Sequence, residues 1–220
     1  MDSRGAYPAD RAAALSGVPL STVHYWSRNG VLVPGVSAER IKLWSYADLL
    51  ALRTIYWLRH EKEADDGGAV PAASMPAVRR ALGMLRELSL DLFSDDGQSR
   101  VVVDRDGEII VRSKSGLARP TSAQRVLDVL DVIAPFPTEP GMRGPDLREP
   151  RPHLRIVPGK LSGEPHVAET RLETQALAAL ARRGVSVTDI LVLYPFVNRV
   201  AIEEALDLEE QLSKNVQLAA

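Results

Sequence analysis

The stretch GVPLSTVHYWSRNGVLVP, residues 17–34, decides how the N-terminal part of the chain folds. Gly17 closes the helical pattern of PADRAAALSG, residues 8–17, and a second pattern begins near Pro19 and stops at Asn29-Gly30. Gly17 permits a tight turn between two helices, Val18 and Val23 can pin the second helix to the first, and Gly30 can end it. With Val23 inward and Trp26 filling space as a core side chain, Ser21, Thr22, His24 and Tyr25 face away, followed by Arg28 at the helix end.

Downstream, residues 34–44 carry Arg40, Lys42 and Trp44 and lead into a third helix. That helix is SYADLLALRTIYWLRH, residues 45–60. Ser45 followed three residues later by Asp48 resembles a capping box, and Leu49, Leu52, Ile55, Tyr56 and Arg59 recur at helical spacing. Residues 1–62 hold eight Lys/Arg against five Asp/Glu, about +3. Nineteen basic and 24 acidic residues then remain of the totals of 27 and 29, about −5, so the N-terminal segment is the part suited to a polyanion.

The order of these features resembles the DNA-binding head of the MerR family of transcription regulators. The matching residues are Tyr7, Ala13, Ser16-Gly17-Val18, Thr22-Val23-His24-Tyr25-Trp26, Gly30-Val31-Leu32-Val33-Pro34, Lys42-Leu43-Trp44-Ser45 and Asp48-Leu49. The resemblance implies a winged helix-turn-helix over residues 1–62 whose second helix enters the major groove of double-stranded operator DNA. Ser21, Thr22, His24, Tyr25, Arg28, Arg40 and Lys42 are its candidate DNA contacts. Pro19 and Leu20 depart from the capping and polar residues usual in that family, and His24 stands where Arg is common. Specificity then rests on hydroxyls, imidazole, the wing or DNA shape, and affinity per head is expected to be low.

EKEADDGGAVPAAS, residues 61–74, suits a linker or loop. A middle α/β-hairpin unit is expected over 75–134: a helix with Val78, Leu82, Leu85, Leu88 and Leu92 on one stripe, a hairpin around Asp106-Gly107, and an amphipathic helix SAQRVLDVLDVI. Residues 135–152 carry six prolines and two glycines and read as an extended Pro-rich connector.

The last domain, 153–220, reads as three helices with short strands. One runs from about Thr174 to Gly184, one is capped by Ser186 with Asp189 three residues on, and one starts after Asn198. Gly163, Pro165, Val167, Thr170-Arg171-Leu172, Gly184, Ser186, Ile190, Tyr194-Pro195, Ile202 and Ala205-Leu206 resemble a small domain family of unknown function frequent in VapB-type antitoxins. Glu169 stands where that family usually has Gly. With the helix-turn-helix in front, the chain resembles a subgroup of VapB-type antitoxins. That resemblance implies a PIN-domain ribonuclease toxin as partner, with metal and catalysis on the toxin. Arg171, Arg182 and Arg183 are candidate toxin contacts, able to intrude on an acidic metal site; Arg171 also suits an internal ion pair. Tyr194-Pro195 reads as a helix terminator.

Four His and no Cys exclude disulfides and thiolate chemistry, and no apolar run approaches ~18 residues. His153 and His166 lack a Glu-x-x-His companion, Asp65-Asp66 and Asp95-Asp96 sit in turn-like settings, and no Gly-x-Ser-x-Gly, Walker-type or dinucleotide fingerprint is present. The expectation is a mainly α fold with a small β component. The function expected from the resemblance is that of a cytoplasmic, non-catalytic antitoxin without cofactor or metal, dimeric so that two heads meet two half-sites, the dimer contact falling to the middle unit or the C-terminal helices. The alternative is a MerR-like regulator of transcription that responds to a small ligand; against it, ADDGGAVP interrupts any dimerising coiled coil after the third helix.

Overall fold

The computed structural model describes residues 5–63, 68–87, 101–103, 106, 108–113, 116–118, 132–138 and 140–217. In chain order its elements are α1 (Ala9–Ser16), α2 (Leu20–Arg28), α3 (Tyr46–Arg59), β1 (Lys62–Glu63), β2 (Ala69–Val70), α4 (Met75–Glu87), β3 (Val101–Val103), β4 (Ile109–Ser113), β5 (Gly116–Ala118), β6 (Phe136–Pro137), β7 (Arg143–Gly144), β8 (Leu154–Arg155), β9 (His166–Val167), α5 (Thr174–Arg182), α6 (Val187–Leu193) and α7 (Arg199–Gln217). The fold is mainly α with small antiparallel sheets. The expected helix at 122–133, the Leu88 and Leu92 end of the α4 stripe, and the Asp65-Asp66 and Asp95-Asp96 turns lie outside the described residues, apart from Val132 and Ile133.

The chain forms two compact units. The smaller spans Ala51–Val132; the larger joins Asp2–Leu50 to Ile133–Ala220. In the smaller unit α4 packs on β4, and Val78 and Ala81 of α4, Val102 and Val103 of β3 and Val111 of β4 are buried. β3 and β4 pair in the register Val101↔Val111 to Val103↔Ile109, as the Asp106-Gly107 turn predicts, and β5 adds a third strand. Arg53 is fully buried and its Nη1 donates to Val132 O at 2.8 Å.

The larger unit is a helical body around α7. Ala201, Ile202, Ala205, Leu208 and Leu212 form its buried stripe, spaced as one helix face requires, and α5, α6 and α1 all pack on it. Caps set the boundaries. Ser186 Oγ accepts the Asp189 N–H at 3.2 Å at the head of α6, and Asn198 Oδ1 accepts the Ala201 N–H at 2.7 Å at the head of α7. α6 stops at Leu193 because Tyr194 precedes Pro195 and takes ψ 70, outside the helical range. Between the ends of this unit the Pro-rich segment makes the β6–β7 pair, and Thr138 Oγ1 donates to Gly17 O at 2.5 Å.

Candidate nucleic-acid interface

The turn between α1 and α2 holds because Gly17 takes φ 76 and donates its N–H to Ala13 O at 2.8 Å. A Cβ at Gly17 would also press on the Gly144 backbone at 2.5 Å, so only glycine fits. α2 begins behind Pro19 with no side-chain cap, leaving the first-turn N–H groups of a nine-residue helix without a side-chain acceptor. It ends in a Schellman turn: Val31 N–H reaches Trp26 O at 2.9 Å and Gly30 N–H reaches Ser27 O at 3.3 Å.

Val23 and Trp26 are buried, which turns the opposite face outward. Ser21, His24, Tyr25 and Arg28 are exposed at i, i+3, i+4 and i+7, a single stripe along α2, with Thr22 half-buried beside it. Tyr25 is 53% exposed, although a tyrosine ring on a monomer gains by burial.

The wing is a short antiparallel pair. Val36 and Ser37 donate to Leu43 O, Leu43 donates to Ser37 O at 2.9 Å, and Ser37 Oγ closes the tip on Ile41 O at 2.8 Å. Arg40 and Ile41 stand exposed at that tip, with Glu39 beside them. Lys42 is half-buried and its Nζ donates to Ser27 Oγ at 2.7 Å, tying the wing to the last turn of α2. The wing's base is tied as well. Asp48 Oδ2 accepts the Gly35 N–H at 2.8 Å and the Ser45 N–H at 2.7 Å, while Ser45 Oγ accepts the Asp48 N–H at 3.1 Å. The capping box read from Ser45 and Asp48 thus also positions the wing. Trp44 is buried, paired through its backbone with Tyr7.

Not all of the charge counted over residues 1–62 reaches the surface. Arg11 and Arg53, two of the eight cations counted in residues 1–62, are buried and face inward partners. Arg28 and Arg40 are the exposed cations of the described reading surface, with Lys42 partly available. Phosphate attraction per head is correspondingly modest.

Arg11 marks a feature that motif reading missed. Its Nε donates to Glu164 Oε2 at 2.8 Å, and Nη1 and Nη2 clasp the two Glu209 oxygens at 2.9 and 2.8 Å. Thr174 Oγ1 donates to Glu209 Oε1 at 2.5 Å. Burial pushes the Glu164 carboxyl up, against the pull of the Arg11 guanidinium. Nearby, the buried Tyr7 hydroxyl donates to Gly163 O at 2.7 Å, and burial, with Glu164 adding, holds its pKa above the usual phenol range. Gly163 takes φ 84, and a Cβ there would collide with the Tyr7 hydroxyl. Asn215 Nδ2 donates to Ala14 O at 3.0 Å. The start of the head, from Tyr7 through α1, is therefore keyed to the C-terminal domain by an ion network and two polar contacts. The sequence signals cover for α1 though not its partners: Ala12-Ala13-Ala14-Leu15 leave the helix little polar face, and such a helix is buried on most sides.

In the C-terminal domain Arg171, Arg182 and Arg183 are exposed, the last two at the C-terminal end of α5 where cations suit the dipole. The internal ion pair considered for Arg171 is not found among the described residues. Glu169, in place of glycine, takes φ 61. His153 is held by Glu204, its Nδ1 at 2.9 Å from Oε1, and His166 Nδ1 lies 3.0 Å from Glu164 O. No group of three His, Asp or Glu that could hold a metal occurs among the described residues.

The N-terminal architecture is that of a winged helix-turn-helix, the class of DNA-binding regulators. Residues 7–62 match the model of the MerR HTH family regulatory proteins, and residues 155–208 match the family described as protein of unknown function (DUF433). No curated protein and no solved structure gives a significant match. The chain thus carries a MerR-family helix-turn-helix at its N-terminus and a DUF433 domain towards its C-terminus. No helix among the described residues is long and apolar enough to cross a membrane.

Proposed function

We propose that the protein is a non-catalytic antitoxin of the VapB type: it binds and neutralises a PIN-domain ribonuclease and represses its own operon as a dimer in the cytoplasm. One observation carries the reading. The stripe Ser21, His24, Tyr25 and Arg28 stays open, while the other side of the head is locked through Arg11 to the domain whose motif residues resemble antitoxins. A reading head with its rear buried in an effector-type domain is arranged for coupling partner binding to DNA binding. The uncapped start of α2 and Arg28 and Arg40 supply phosphate contacts, and Arg171, Arg182 and Arg183 supply charge for an acidic toxin site.

The test has two arms. The reading expects a PIN-domain protein encoded beside this chain, whose co-expression restores growth and yields a co-purifying complex; no such neighbour, or continued toxicity with no complex, removes the antitoxin role. Binding to its own promoter weakens linearly in log–log form with salt, and Arg40→Ala with Lys42→Ala lowers the slope by up to ~2. Salt-independent binding removes the DNA role.

A further inference from the structure

In the C-terminal domain Ile190, Val197, Ala201 and Ile202 are buried, yet the same short stretch turns a second apolar set outward. Val192 is 76% exposed, Phe196 66%, Leu193 58% and Val200 50%, four large apolar side chains within nine residues. Phe196 packs edge-on to Tyr194 with ring centroids 6.0 Å apart, so it stands as part of a built surface. At ordinary side-chain areas the set presents roughly 400 Å², the size at which an apolar patch on a monomer has a use. A stable interface needs about 800 Å² per partner, of which this patch is the core, the rest coming from its polar rim.

That rim bears both signs. Arg199 reaches Thr188 Oγ1 at 3.3 Å and Glu203 at 3.5 Å, and Asp189 lies on the exposed side of α6 next to Thr188. A surface that carries both signs can complement itself across a two-fold axis, whereas a toxin with a single-signed surface would meet repulsion from one sign or the other. We infer that Val192, Leu193, Phe196 and Val200 form the core of a homodimer interface, with a second copy of this chain as the occupant. The inference deepens the dimeric repressor reading above, because the patch and the helix-turn-helix belong to one compact unit and pairing through it fixes the spacing of two heads.

Sedimentation velocity on the full chain tests it. The wild type is a dimer at about 10 µM, and Val192→Ser with Phe196→Ser weakens dimerisation by about 100-fold or more while far-UV circular dichroism and Tm hold. Since the chain has no cysteine, Phe196→Cys gives a clean probe: it forms a disulfide-linked dimer on mild oxidation and Val157→Cys, exposed elsewhere, does not. A wild type that is monomeric throughout this range, or a double serine variant that remains dimeric, overturns the inference. A monomeric wild type whose toxin capture is lost in the double variant overturns it too and assigns the patch to the toxin. These readouts use no DNA, so failure of the promoter assay leaves them standing.

Discussion

Arg11→Met removes the cation between two carboxylates while keeping most of the apolar stem. Three hydrogen bonds are lost, of 2.8, 2.9 and 2.8 Å, and neither acid is free to rehydrate: Glu209 is 6% exposed and the Glu164 side chain 14%. Deleting one partner of a buried pair costs about 3–5 kcal/mol, most of it the penalty of the abandoned charge. For a unit of this size that lowers Tm by roughly 10–20 °C. The sign of the pH effect is also fixed. Burial already pushes the Glu164 carboxyl up, and in the variant the guanidinium that opposed that push is gone, so the folded state binds more protons and stability recovers as pH falls from about 7 to about 5. Adding Glu209→Gln neutralises one abandoned charge, keeps an acceptor for Thr174, and should restore about 1–2 kcal/mol. Circular dichroism melts of the full chain across that pH range measure all three. A loss below about 1 kcal/mol, or one of equal size at every pH, would refute the network as the lock between α1 and the C-terminal domain.

Glu169→Gly relieves a left-handed residue and should stabilise by about 1 kcal/mol, read by urea denaturation; a loss would mean that Glu169 makes a stabilising contact. Asp48→Ala removes a carboxylate that accepts two backbone N–H groups at the base of the wing and should cost about 2–3 kcal/mol, with promoter affinity falling alongside. Lys42→Met should weaken promoter binding more than Arg40→Ala does, because Lys42 also ties the wing to Ser27; equal effects in a gel-shift titration would argue against that tie. Burial lowers Lys62 to about 8. From about pH 8 up to its unfolded pKa near 10.4 the unfolded chain binds the extra proton, so this group makes stability rise with pH, and Lys62→Met should remove that increment from thermal melts.

What could be read from sequence was what local chemistry decides. Ser45 with Asp48, Ser186 with Asp189, Asn198, and Gly17 each fix a helix end through a partner within four residues, so their boundaries follow from the pattern itself. The reading stripe was legible for the same reason, since burying Val23 and Trp26 dictates where Ser21, His24 and Tyr25 point. The docking of α1 was not, because Arg11 finds its partners 153 and 198 residues away, where no periodicity reaches. A count of charge by segment therefore includes two cations, Arg11 and Arg53, that belong to the interior. With Arg11 and Arg53 turned inward, Arg28, Arg40 and the half-buried Lys42 are the cations left on the reading surface, a modest source of phosphate attraction for one head. In the dimer proposed above a second head adds its own contacts, and the surface that joins two copies then matters to DNA recognition as much as the helix proposed to enter the groove.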